Sequence, residues 1–466
     1  MPLTYNLGNS RDPITSSNSI TEREVRSAFG YTDIGYKTWA NLNISVRNDW
    51  TSSLQKPYNS FFYPSASLGL IVSEMTSMPS FISFAKLRAA YADVSSDVSA
   101  YYTLPVYSRG TRWNGTPSLS LPGNIFDEAI KPNRTISREA GLEMKFIKNR
   151  VGFDFTYFSY LDKNSIRNIP LSQASGYSSL IVNGDIYTRN GIEVVFTGTP
   201  VKTRDLTWNV MANYTRLREK VKEYYGGATE RGGVKVGERR DVYRGSAWER
   251  SPDGQIVHNS NGLPKVINQT VNLGFTGDDW SFGFISDLKY KNFGFGFVID
   301  GRIGGKIYNG VESKMYEGGT HKKTANSYRD DSYAGNETYL SNGVIVTGGS
   351  VTYDIQGKIL TDTRTFAPNT KKVDFIDWVF ANYAPGTDES LLYDKTFVKL
   401  REATLSYSFA SNLLEKTPFK SASVSLVGRN LLMWTNVPFM DPDGYSGLNL
   451  AEPSYRNIGF NLDIKF

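Results

Sequence analysis

The 466-residue sequence contains no cysteine and only two histidines, His258 and His321. Without thiols there is neither a structural disulfide nor a thiol-ligated metal. Two histidines far apart in sequence leave a zinc site dependent on carboxylates that no local pattern supplies, so both read as loop residues and no metal or cofactor is expected. Long hydrophobic runs are missing as well. No stretch approaches the ~18 consecutive apolar residues of a spanning helix, and the mean hydropathy is -0.37, which excludes a helical inner-membrane protein. Charge of one sign is scarce: 52 Lys+Arg stand against 46 Asp+Glu. Adjacent basic residues occur only as the pairs Arg239-Arg240, Lys322-Lys323 and Lys371-Lys372. No block of the kind that neutralises phosphates is present, so nucleic acid is not an expected partner. There is no phosphate-cradling glycine loop with Lys-Ser/Thr and no nucleophile elbow. The polar start, Met1 to Thr21, lacks the basic and apolar regions of a signal peptide. The expectation is that export information has been removed or that this is the downstream part of a longer protein.

What the sequence does contain is aromatic residues, 14% of the total, together with 42 glycines, a mixture that favours strands and turns over helices. The closing stretch shows how they are used. In Ile458–Phe466 the residues Phe460, Leu462, Ile464 and Phe466 are apolar, and Asn461, Asp463 and Lys465 between them are polar. Successive side chains on a strand face opposite sides, so one face is greasy and the other wet. An aromatic at the very C-terminus would lie in a frayed tail of a soluble sheet; in a transmembrane barrel it sits in the interfacial girdle.

The same alternation predicts strands over Arg26–Lys37, Trp39–Asp49, Tyr63–Ser73, Phe84–Val94, Glu139–Phe146, Val151–Tyr157, Gly191–Thr197 and Leu206–Leu217. It continues over Trp280–Tyr290, Phe293–Gly304, Phe397–Phe409, Ser421–Asn430 and Asn457–Phe466. Short connections and long ones alternate along the whole chain. That is the topology of an outer-membrane barrel, with short periplasmic turns and longer extracellular loops. The fold class is thus all-β, an antiparallel transmembrane β-barrel wall of about 13 strands. Closed single-chain barrels have an even number of strands, so this wall is expected to be partial. It divides into a polar segment over residues 1–25, expected to be an extracellular loop, and a barrel portion over 26–466.

Several runs resemble the SusC/RagA group of TonB-dependent outer-membrane transporters of the Bacteroidetes: RNDWTSSL (Arg47–Leu54), FYPSASLGLIVSE (Phe62–Glu74), FAKLRAAYADV (Phe84–Val94) and KPNRTISREAGLEMKFIKNRVGFDFTYF (Lys131–Phe158). DGRIGGKIYNG (Asp300–Gly310), FVKLREATLSYSF (Phe397–Phe409), VGRNLLMWT (Val427–Thr435) and FMDPDGYSG (Phe439–Gly447) continue the resemblance in family order. It implies a barrel of about 22 strands with an N-terminal plug that would precede Met1. It further implies a SusD-like surface lipoprotein over the loops, energy delivered by the TonB complex, outer-membrane lipid around the wall, and an oligosaccharide or peptide cargo.

Individual site residues are harder to choose. Glu139 and Glu143 are the best carboxylate pair, but four residues along a strand place them about 13 Å apart. Glycoside hydrolysis needs ~5–9.5 Å, so an enzyme is not expected. Asp441-Pro442-Asp443-Gly444 reads either as a calcium loop or, by its Pro and Gly, as a turn. The loop aromatics Tyr101, Tyr102, Trp113, Tyr224, Tyr225 and Trp248 are candidate substrate contacts, because flat rings among polar neighbours suit a sugar, though Tyr and Trp also mark membrane interfaces. The leading alternative is a soluble or surface-attached β-rich carbohydrate-binding protein with its apolar faces packed between two sheets. A passive porin is a further one.

Overall fold

The structure, a computed structural model, describes residues 20–110, 114, 116–384, 386–444 and 454–466. Thirteen strands form one sheet in which each pairs with its neighbours in chain order. They are β1 (Val25–Tyr36), β2 (Ala40–Thr51), β3 (Ser60–Ile71), β4 (Ile82–Ser96), β5 (Asn133–Phe146), β6 (Val151–Lys163) and β7 (Ile186–Lys202). The wall continues with β8 (Leu206–Glu223), β9 (Trp280–Tyr290), β10 (Phe293–Ile303), β11 (Phe397–Ser408), β12 (Ser421–Thr435) and β13 (Asn457–Lys465). All pairings are antiparallel.

The register puts like residues beside like. Across the last strands Phe295 faces Leu405, Leu405 faces Leu426 and Leu426 faces Phe460. A stripe of apolar side chains therefore runs around one face. A slip of one residue in any strand would turn its apolar set inward, which is what fixes the register. Phe460 is 80% exposed, Leu426 56% and Leu405 53%, so among the described residues no second sheet covers this face. Near the short-turn end of β8 the Trp208 indole donates to the Ser286 hydroxyl at 3.0 Å. Aromatic pairs mark the short-turn end: Tyr36 with Trp39, Phe81 with Phe146, Phe293 with Tyr407, and the C-terminal Phe466 with Phe419 at 5.3 Å.

The connections at that end are short, over residues 37–39, 72–81, 147–150, 203–205, 291–292 and 409–420. Those at the other end span 52–59, 97–132, 164–185, 224–279, 304–396 and 436–456. Several strands are longer than alternation alone predicts, β5 by six residues at Asn133 and β7 by five at Ile186. Both extensions lie at the long-loop end, where the two-sided pattern lapses. Residues 20–24 belong to the same end: the Glu24 amide donates to Ser52 and the Glu22 amide to the Tyr101 hydroxyl.

The two longest connections are not loose. Residues 224–279 and 304–396 fold into a common cap with helices α1 (Gly310–Glu317), α2 (Ser327–Tyr333) and α3 (Phe375–Tyr383). Asp374 caps α3 by accepting from the amides of Ile376 and Asp377. Tyr316, Phe375, Val379 and Leu391 form its core, with Tyr339, Trp378 and Tyr383 packed against them.

Candidate functional site

The inner face of the wall is a continuous polar surface. Ser45 bonds Ser65 at 2.7 Å, and Asp49 is held by Arg47 at 2.7 Å and by the Tyr63 hydroxyl. The Arg88 guanidinium crosses β5 to reach Asp154 at 2.9 and 2.5 Å and Thr156 at 2.5 Å. It can do so because the intervening residue is Gly141, where a Cβ would lie 2.4 Å from Arg88 Nε. Glu139 accepts from the Tyr160 hydroxyl at 2.9 Å, and Glu143 is paired with Lys145 at 3.2 Å. The two glutamates therefore serve separate contacts on the inner face. A cavity of about 590 Å³ lies over β1–β5 towards the short-turn end, its lining including Trp39, Asn43, Lys86, Arg88 and Glu139.

At the mouth, three ionic clusters fix the loops. Arg364, in the cap, is buried with Glu249 at 2.6 Å and Asp362 at 2.6 Å and also donates to the Arg250 carbonyl. Asp388 accepts from the Ser246 amide at 2.7 Å, and Glu389 from the Trp248 amide at 3.0 Å. These contacts bind the two longest loops together. Asp185, with no exposed surface, is held by Arg167 and Arg231 and accepts from Tyr187 Oη and the Tyr225 amide. The third cluster binds the β12–β13 connection to the wall. A bulge in β11 turns Arg401 towards Asp300 and Asp443, while buried Lys399 holds Asp441 at 2.6 Å and Asp443 at 3.3 Å.

That last cluster decides the Asp441-Pro442-Asp443-Gly444 question. The Asp443 amide donates back to Asp441 Oδ1 at 3.0 Å, an Asx turn, and both carboxylates already face cations. Burial works to raise them, but Lys399 on one and Arg401 on the other win, and both lie below the usual carboxylate range. Among the described residues no group of three His, Asp or Glu side chains is arranged to hold a metal ion. Both histidines are buried in the cap: His258 Nε2 meets Ser341 Oγ at 2.8 Å, and His321 stacks on Tyr316 and lies 3.4 Å from Glu312. Burial pushes both imidazoles below their ordinary value.

The loop aromatics do not converge. Tyr101 is half exposed at the rim and accepts from Glu22. Tyr102 packs edge-on against Phe126 in a cluster with Leu54, Val98 and Ile130. Tyr224 is buried, its hydroxyl on the Val234 carbonyl and its ring under Arg231, so its faces are taken. Its neighbour Tyr225 is exposed. Trp248 is half-buried beside Arg250 in the cap, and Trp113 lies outside the described residues. Sequence reading missed Asp185, Arg364 and Lys399, each of which has at least one partner 40 or more residues away: Tyr225, Glu249 and Asp441 respectively.

Comparisons with known proteins place this two-faced sheet in a family. The family profile described as TonB dependent receptor-like, beta-barrel matches residues 2–431. The chain belongs to this family. Among curated TonB-dependent receptors, P3 of Formosa agariphila is 22% identical over an alignment covering 96% of this chain and 44% of that protein. SusC of Bacteroides thetaiotaomicron is 23% identical, with 95% and 44% covered. The chain thus spans about half the length of the TonB-dependent receptors it matches. Among solved structures, the RagAB peptide transporter superposes with a TM-score of 0.73 at 15% identity, over 99% of this chain and 50% of that one. The family assignment and this superposition agree with the SusC/RagA resemblance seen in the sequence.

Proposed function

We propose that this chain is the C-terminal part of the barrel wall of an outer-membrane nutrient importer, non-enzymatic, with its short turns in the periplasm and its cap outside. The observation that carries the reading is the two-faced sheet: an uncovered apolar stripe running through Phe295, Leu405, Leu426 and Phe460, opposite a hydrogen-bonded polar face. A soluble sandwich would have to cover that outer face, and no described residue does so. Of the polar N-terminal segment, residues 20–24 lie on this outer side, since Glu22 and Glu24 bond to the long-loop end. The wall acts with a plug and the remaining strands of the transporter, a SusD-like lipoprotein over the loops and the TonB complex. Its cargo is an oligosaccharide or a peptide, the classes that the SusC/RagA resemblance implies; the RagAB structure it superposes on is described as a peptide transporter. Of the loop aromatics, Tyr101 and Tyr225 are the proposed cargo contacts, because their rings are exposed.

The test is cell fractionation followed by uptake. The transporter containing this chain should sediment with outer membranes, show heat-modifiable gel migration, and support accumulation of labelled cargo that stops when TonB is removed. A folded chain that is soluble without detergent would refute the reading.

A further inference from the structure

The rim between β5 and β8 holds a cleft of about 260 Å³ that none of the loop aromatics lines. On the inner face it is formed by Thr135, Asp162, Arg189, Glu219 and Arg240, with Asn133 beside them. Arg189 forks onto Asp162 at 2.7 and 2.9 Å, and Thr135 donates to the same carboxylate at 2.6 Å. Arg240 meets Glu219 at 2.5 Å. Each guanidinium is backed by a ring, Arg189 by Tyr160 at 5.2 Å and Arg240 by Tyr187 at 4.2 Å. The Tyr187 hydroxyl is itself fixed by buried Asp185. Arg134 and Lys163, which also border the cleft, belong to the other face by strand alternation, and Arg134 is there paired with Asp93.

Two properties of this arrangement select a ligand. First, the inner-face charges are already paired, Arg189 with Asp162 and Arg240 with Glu219, so a charged group meets no uncompensated opposite charge there. Second, the pairs leave N–H donors on both guanidiniums and lone pairs on both carboxylates unused, held at fixed angles by the rings beneath. Adjacent donors and acceptors suit a group that is both at once, which is what vicinal hydroxyls are. Asn133 lines the cleft beside these pairs.

We infer that this cleft binds one uncharged, polyhydroxylated ring of the cargo, at the point where the cargo leaves the cap and meets the wall. The inference rests on the importer reading and narrows it to neutral glycans.

Binding is measured apart from import, on outer membranes carrying the whole transporter. Three labelled pools are compared: neutral oligosaccharides, the same pool oxidised at its primary alcohols to uronic acids, and casein peptides. The variants are Arg189→Lys, which keeps the charge but loses the fork, and Glu219→Gln, with folding checked by heat-modifiable migration. The expected result is preferential binding of the neutral pool, weakened about tenfold or more by Arg189→Lys and less by Glu219→Gln. Equal binding by wild type and both variants, preference for uronates or peptides, or no binding of any pool would each overturn the assignment. If import proceeds while the variants bind normally, the cleft assignment fails and the importer reading stands. If no pool is imported but Arg189→Lys weakens neutral binding, the reverse holds.

Discussion

The wall and the cap of this protein are built on opposite principles. In the wall every residue's environment is set by the parity of its position: Leu405 is outward because Thr404 and Ser406 are inward, and its neighbours Phe295 and Leu426 obey the same rule. In the cap, position says little, and order comes from single buried groups with distant partners, such as Arg364 reaching Glu249 across 115 residues. The wall should therefore lose stability gradually under substitution, whereas the cap should depend heavily on a few side chains.

The largest effect is expected at Arg364→Ala. Removing one partner of a buried ion pair costs about 3–5 kcal/mol, and Glu249 and Asp362 would be left facing each other's charge. Hydrogen exchange should show residues 224–279 and 304–396 losing protection together, while the wall keeps its heat-modifiable migration. Separate loss in the two loops would show that the cap is not one body. Next comes the parity of the wall. Leu405→Arg should cost roughly 2–4 kcal/mol if the position lies near the bilayer midplane, whereas Ser406→Arg, one residue on, should cost little. Equal penalties in refolding titrations would remove the distinction between the faces. A smaller effect, about 1–3 kcal/mol from forced repacking, is expected for Gly141→Val, whose side chain would displace Arg88 from Asp154. Gly459→Val, where an added Cβ meets nothing within 4 Å, is the control.

Acid should separate the regions in a different way. Hydrogen bonds from Arg364 hold the Asp362 carboxyl down to about 2. A carboxylate with a depressed native pKa stabilises the fold above its unfolded value, near 4, and that contribution is lost as pH falls towards 2. The buried histidines, lowered in the native state, protonate more readily on unfolding, so their contribution fades as pH drops below about 6.5. Pepsin digestion across this range should cut the cap before the wall; simultaneous cleavage would contradict the comparison.

The same contrast explains what could be read from the sequence. The thirteen strands were legible because lipid imposes a two-residue period that survives without knowledge of any partner. Their upper ends were not, since above the membrane the period has no cause. The cap read as polar loop, yet Asp374 before Phe375-Ile376-Asp377-Trp378 is a helix start signal, and Asn309 three residues before Glu312 is another. The second was hidden by the surrounding Gly and Ser residues. The mouth could not be composed from sequence at all. Tyr224 and Tyr225 are adjacent, and nothing local tells that Asp185 buries one side of the turn and leaves only Tyr225 outside.

The central claim is that the sheet has one face to lipid and one to water, and the absence of native cysteine makes it directly measurable. Single replacements from Ala403→Cys to Tyr407→Cys in β11, made in the membrane-embedded protein, would be reacted with a water-soluble maleimide and with a lipid-partitioning one. The account predicts strict alternation, with positions 404 and 406 labelled only from water and 403, 405 and 407 only from lipid. Uniform labelling by the aqueous reagent along the strand would contradict it.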